Sequence, residues 1–290
     1  MHQHPSSSDA SLTGTNMGRD ARAVAGEADL TGREYLRRYL RITPAALALW
    51  RAIEAKHLAT VELPRPILDL GSGFGEFTSA FFDDVPDVGM DIRRPDLRRA
   101  QQGQRYKSLV LGDACQVPFA SGSFATVLSV SVLEHIPHTH EAVAEAYRVL
   151  ESGGRFVFTA PTQQLSESLF YSRVLRRVGL SPLARFYAWL FNRAVHHVSL
   201  FSEEEWLRLL KEAGFRVEER RMTINRRSLR AFDLTLPFAV PSQISRLLLG
   251  NRMTRRPEWL VRFWERRLAK CVAEDDAEGA CNLFVVARKP

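Results

Sequence analysis

Three glycines spaced two apart, Gly71, Gly73 and Gly75, stand between the apolar run ILDL and the segment EFTSAFF, with Asp69 inside that run. Glycine carries no Cβ, so such a turn lets a ligand approach the backbone, with N–H groups and the start of the next helix facing it. Two more carboxylates close short apolar runs. Asp91 ends DVGMDI, 22 positions after Asp69, and Asp113 ends SLVLGDA. A carboxylate at the first place can accept both hydroxyl hydrogen bonds of a ribose, and one at the second suits an adenine amino group. The set points to a nucleoside-bearing ligand. The dinucleotide loop G-x-G-x-x-G is the nearest alternative, but its sixth position is Gly or Ala for close helix packing, and here it is Glu76. Each acid also has a plainer reading. Asp91 and Asp113 suit ordinary turns, while Asp69, inside an apolar strand, needs a buried partner and competes for a role in orienting the turn.

These residues require a sheet to carry them. PILDL, DVGMDI, SLVLGDA, SFATVLSVS and GRFVFTAP read as strands, the last beginning after a break at Gly153-Gly154. EFTSAFF, PDLRRAQQ and HEAVAEAYRVL read as the helices between them. Strands alternating with helices imply a parallel sheet with right-handed crossovers, covered on both faces. Farther on, SEEEWLRLLKEAGF has Ser202 as N-cap, Glu205 three later and a stop at Gly214, followed by the strands FRVEERR and CNLFVVARK.

ILDLGSGFGEFTSAFF, VGMDI, LVLGDACQVPFASGSFATVLSVSVLEHI and YRVLESGGRFVFTAP together resemble the ordered motifs of class I S-adenosylmethionine-dependent methyltransferases, particularly the ubiquinone/menaquinone-biosynthesis-like branch. The likeness spans roughly residues 65–162, and FSEEEWLRLLKEAGFRVEE and CNLFVVARK extend it to the C-terminus. It implies a Rossmann-like α/β fold with seven strands in the order 3-2-1-4-5-7-6, the last antiparallel, and S-adenosyl-L-methionine as cofactor. Carried over, Asp69, Gly71, Gly73 and Gly75 would line the methionine portion, Asp91 the ribose, and Asp113 with Ala114 the adenine, with Ile92 on its face. Ser129 and Val130 would lie beside the amino-acid end. An acid-lined site without a basic clamp suits a sulfonium that has no phosphate. Oxidoreduction with a dinucleotide and silent cofactor binding on the same scaffold remain the competing readings.

Methyl transfer to O, N or C of an acceptor leaves a general base optional, and a hydroxyl acceptor would use one near neutral pKa. His135, following the fourth strand in SVLEHIPHTHEA, is the leading candidate, with Glu134 beside it. Both also suit plain hydrogen bonding at a helix start. His138 and His140 belong to a solvated turn, and His196-His197 has no carboxylate cluster, so no metal is expected.

The remaining chain surrounds this module. Residues 1–28 read as a disordered tail, 29–60 as one or two amphipathic helices broken before Pro44, and 61–290 as the catalytic domain with helical insertions at about 163–200 and 223–277. Of 290 residues, 40 are Lys or Arg and 33 Asp or Glu, a net charge of +7 that is unevenly placed. Val61 to Thr162 holds nine basic residues against thirteen acidic ones, whereas Gln163 to Leu200 holds five arginines against Glu167 alone, and Arg246 to Lys270 eight basic residues against two acidic. Both insertions interleave arginine with Phe, Tyr, Trp and Leu. We expect them to form a lid over a small-molecule, lipophilic or glycosylated acceptor, or a lipid-like one, with their arginines meeting either an acidic substrate or an anionic membrane surface. No basic stripe accompanies a nucleic-acid motif, so nucleic acid is not an expected partner. Three scattered cysteines and the lack of a secretory signal or an apolar run of membrane length point to the cytoplasm, with membrane contact at most peripheral. Nothing in the sequence sets an oligomeric state.

Overall fold

The computed structural model describes residues 31–239, 256–274 and 277–290. The tail expected at 1–28 and the middle of the second insertion lie outside them. Seven strands form one sheet: β1 Ile67–Leu70, β2 Val88–Asp91, β3 Ser108–Leu111, β4 Phe124–Val130, β5 Leu150–Pro161, β6 Arg216–Thr223 and β7 Asn282–Arg288. Their order is β3-β2-β1-β4-β5-β7-β6, as the resemblance implied. β7 runs antiparallel to both β5 and β6. The pairs from β3 through β5 are parallel. Every residue of β1 and β4 is buried, as central strands covered on both faces must be. β5 begins at Leu150 and runs through the glycine pair read as a break. Leu150 pairs with Phe124, and a register shift follows before Arg155 meets Thr126, so the glycines are absorbed as an irregularity.

On one face, α5 (Thr139–Val149) and α9 (Glu203–Glu212) pack against Leu68, Phe156, Phe158 and Leu283 through Val143 and Trp206. Ser202 and Glu205 close the capping box that the sequence signalled. The short α3 (Glu76–Phe81) and α4 (Arg94–Gln102) follow β1 and β2.

The other face carries a second layer. It begins with α1 (31–40) and α2 (Ala45–Leu58), broken at Pro44. The insertions supply α6 (Gln164–Ser168), α7 (Phe170–Arg177), α8 (Ser181–Val195), α10 (Arg226–Thr235) and α11 (Glu258–Ala273). α1 keeps one exposed side, but twelve of the fourteen residues of α2 are buried, Glu54, Lys56 and His57 included. The amphipathic reading of α2 is therefore corrected. α10 and α11 cover the side that the sequence left for solvent, sharing a core with Leu49, Trp50 and Ile53 through Leu229, Phe232 and Val261.

Candidate functional site

The chain leaves β1 through the glycine turn at the carboxyl edge of the sheet. Gly71 N and Ser72 N donate to the Met90 carbonyl at 2.8 and 2.9 Å, Gly73 N to Asp91 Oδ2 at 2.7 Å, and Gly75 N to the Ser72 carbonyl at 3.0 Å. The amides expected to face a ligand are thus engaged within the protein, stitching the turn to β2. What the glycines leave open is space. A Cβ on Gly71 (φ +82°) would come within 2.2 Å of Val132 Cγ1, so packing excludes it. A Cβ on Gly73 (φ +54°) would meet nothing within 4 Å, and Gly73 lines a cleft. Gly75 caps α3 and is not among the residues lining that cleft.

Asp91 braces the turn. Besides Gly73 N, its Oδ1 accepts from Arg93 N at 2.8 Å. Each oxygen retains a further lone pair for a ligand hydroxyl. Asp69 is buried, and its Oδ2 accepts from Tyr106 Oη at 2.6 Å and Thr78 Oγ1 at 2.8 Å. Burial raises its pKa while these two hydrogen bonds oppose the rise. Tyr106 reaches it because Gly89 in β2 has no side chain: a Cβ there would stand 2.8 Å from the ring. This is the turn-orienting role that competed with ligand contact, although Asp69 also borders the cleft.

The other carried-over residues diverge. Val130 lines the cleft. Ser129 is fully buried and donates to the Leu70 carbonyl at 3.1 Å, tying β4 to β1 instead of facing the cleft. Asp113 is exposed and accepts from Cys115 N at 2.9 Å in a local turn, and Ala114 packs on the core. Ile92 is 67% exposed. None of these last three is among the residues lining the cleft.

The cleft has a volume of about 1300 Å³ and joins the glycine turn to the insertions. Its far wall is Tyr171, Tyr187, Leu190 and Phe191 from α7 and α8 with Leu236 and Pro237 after α10. Where this wall meets α10, Tyr187 Oη donates a short hydrogen bond to Asp233 Oδ1, and Tyr171 N donates to Oδ2 at 3.1 Å. Asp233 is wholly buried, which raises its pKa. The two insertions are therefore joined by a polar contact inside an apolar chamber.

On the near wall, Arg51 of α2 donates to Glu54 Oε2 at 2.8 Å, while Glu54 Oε1 accepts from Trp50 Nε1, Ser131 Oγ and Thr159 Oγ1 at 3.1, 2.5 and 2.7 Å. Arg51 Nε is buried and has no hydrogen-bond partner. Sequence reading passed over Arg51, Glu54, Tyr187 and Asp233. The one available signal was a charged pair, three residues apart, in the otherwise apolar ALALWRAIEA.

His135 and Glu134 lie in a 3₁₀ turn after β4, Leu133–His135. His135 lines the cleft, and its Nδ1 is 3.0 Å from the His196 carbonyl. A carbonyl only accepts, so Nδ1 carries the proton and Nε2 holds the free lone pair. Burial of the inner side of the ring lowers its pKa, keeping it neutral. Glu134 is buried outside the cleft lining, 3.8 Å from His135 Nε2, with Oε2 unpartnered. Burial pushes its pKa up to about 8, and repulsion from Glu54 adds to the rise. His138 and His140 are exposed. Among the described residues no group of three His, Cys, Asp or Glu side chains could hold a metal ion.

Residues 68–158 match a family described as a methyltransferase domain. A demethylmenaquinone methyltransferase of Deinococcus radiodurans is 30% identical over 188 residues, which cover 60% of this chain and 77% of that protein. An ajmaline N-methyltransferase of Rauvolfia serpentina is 32% identical over 138 residues, 42% of this chain and 47% of the relative. Among solved structures, an S-adenosylmethionine-dependent methyltransferase of Thermotoga maritima has a TM-score of 0.50 at 15% identity, covering 94% of this chain and 97% of its own, a likeness of fold alone.

Proposed function

The chain belongs to the class I S-adenosylmethionine-dependent methyltransferases, in the ubiquinone/menaquinone-biosynthesis-like branch, and from that premise we propose that it methylates a small lipophilic acceptor. The dinucleotide alternative falls with the family assignment. The observation that carries the acceptor class is the single cleft that runs from the glycine turn into an apolar chamber walled by Tyr171, Leu190, Phe191 and Pro237.

The residues fit the cofactor. The open space over Gly73 admits close approach of a ligand to the backbone. Arg51, which lines the cleft, offers a cation to an amino-acid carboxylate, and Asp91 offers acceptors to ribose hydroxyls. Asp69, Gly71 and Val130 complete this half of the proposed site, while Asp113 and Ala114 take the adenine side only if the cofactor extends past Asp91 toward β3.

When bound, the cofactor supplies an electrophilic methyl group on sulfur, whose departure leaves a neutral thioether. The chain's part is to hold the acceptor atom in line and to limit the access of water, roles we assign to the cleft and its aromatic wall. His135 presents a neutral Nε2 to the cleft, suited to take the proton that an oxygen, nitrogen or carbon acceptor gives up in exchange for the methyl group. Glu134, whose pKa burial raises to about 8, stands 3.8 Å from that ring without lining the cleft.

The setting we propose is the cytoplasm, peripheral to a membrane. All three cysteines are unpaired thiols, which suits a reducing compartment. Among the described residues no helix is long and apolar enough to cross a bilayer. The test is incubation of the purified protein with methyl-deuterated S-adenosylmethionine and bacterial lipid extract, followed by mass spectrometry of both phases. Label in an organic-phase product, lost in His135→Ala or Arg51→Ala, supports the reading. Label confined to water-soluble products overturns the lipophilic acceptor.

A further inference from the structure

We infer that the α7–α8 hairpin is a docking surface for an anionic lipid bilayer, seating the mouth of the acceptor cleft on the membrane. The inference rests on the lipophilic acceptor proposed above and names the surface that would deliver it. α8 buries Ala184, Ala188 and Phe191 on its inner side. Its outer side would be polar in an ordinary surface helix. Instead Leu183, Phe186, Trp189 and Leu190 form a second apolar stripe there, with Phe186 and Trp189 each 55% exposed. The turn between the two helices extends it with Val178, 63% exposed, and Leu180. Contiguous exposed apolar surface of this kind marks a contact with something outside the chain.

Two observations choose the bilayer. The first is charge. Arg177, Arg185 and Arg193 are exposed around the stripe and form no salt bridge among the described residues, whereas Arg176 meets Glu167. Arg193 lies 5.7 Å over the Trp189 ring, and Phe186 stacks on Trp189 at 5.8 Å. Aromatic and aliphatic groups fringed by unpaired arginines match an acyl boundary beneath anionic headgroups. The second is continuity: Leu190 belongs to the exposed stripe and also lines the cleft, so the apolar path from outside to chamber is unbroken.

The experiment is co-sedimentation of the full chain with vesicles of phosphatidylcholine alone or mixed with phosphatidylglycerol, at low and high salt. S-adenosylmethionine affinity by calorimetry and the oligomeric state by light scattering are read on the same samples. We expect binding to the mixed vesicles, weakened by salt, and lost in Phe186→Glu/Trp189→Glu, with cofactor affinity unchanged. Arg185→Glu/Arg193→Glu, two exposed sites, should weaken binding roughly tenfold or more, and this pair decides the matter if the aromatic variant does not fold. Absence of binding to the mixed vesicles at low salt overturns the inference, as does equal binding by both variants. A dimer in solution that the aromatic variant dissociates, without vesicle binding, assigns the face to a second copy and also overturns it. Intact cofactor binding with no vesicle binding rejects docking alone. Vesicle binding without cofactor binding rejects the methyltransferase site and leaves the surface standing.

Discussion

The Asp91 carboxylate accepts the Gly73 amide at 2.7 Å, so the acid at the end of β2 holds the glycine turn after β1 in place. The same side chain is the proposed ribose acceptor, and loss of either role acts on cofactor binding. We expect Asp91→Ala to weaken S-adenosylmethionine by about 1–3 kcal/mol, the scale of hydrogen bonds to a charged group. Calorimetry measures it, and unchanged affinity would remove Asp91 from the site.

Gly71 and Gly73 share a left-handed backbone but differ in what surrounds them. Gly71→Ala drives a methyl group into Val132 and should destabilise the fold by about 3 kcal/mol or more. Gly73→Ala meets no protein atom and should cost only about 1 kcal/mol of stability, yet its methyl group occupies the space assigned to the ligand. A stable Gly73→Ala protein with native cofactor affinity would place the ligand elsewhere.

Glu134 sets a pH dependence of stability. Its pKa rises from an ordinary 4.5 to about 8, so the folded chain keeps a proton that the unfolded chain releases. Stability attributable to this group is therefore present in acid and lost as the pH climbs through about 8. Glu134→Gln cannot ionise. In urea titrations its stability relative to the native chain should rise between roughly pH 4 and 9, by about 1–2 kcal/mol or more. Parallel pH profiles would show that Glu134 ionises freely.

The sign is reversed for His135, whose pKa burial lowers: stability is lost as pH falls through its titration. Nitrogen NMR should find the ring neutral at pH 7 and protonated on Nδ1, the atom facing the His196 carbonyl, with titration below the ordinary 6.5. His197, pushed down to about 4 by burial, serves as an internal comparison. A ring carrying its proton on Nε2 would disqualify His135 as base.

Asp233→Ala would leave Tyr171 N–H and Tyr187 O–H unpaired between the insertions, and should cost about 2–4 kcal/mol in urea unfolding. Tyr187→Phe removes one bond and should cost about 1 kcal/mol. If both are neutral, the contact does not hold the insertions together.

The strands and the position of the turn could be read ahead of the structure because they depend on local pattern, whereas the order of the strands came only from the family resemblance. Apart from Asp69, Thr126 and Ser129, ILDL and FATVLSV are apolar, as strands covered on both faces require, and Ser202 and Glu205 form their capping box within one helical turn. Asp91 was located by the same logic, as the acid closing a short strand. The burial of α2 was not legible. Its composition suggests a solvent side, and only the packing of α10 and α11, drawn from far along the chain, removes it.

What the sequence by itself determined is therefore the sheet, its glycine turn and the acid at the end of β2, since each follows from backbone periodicity and from glycine's missing Cβ. The tertiary structure alone decided which polar groups meet: Tyr106 on Asp69, 37 residues apart, Tyr187 on Asp233, 46 apart, and Thr159 on Glu54, 105 apart. Such pairs obey no spacing rule. Burial makes each polar group find a partner, and the fold determines which one is near enough.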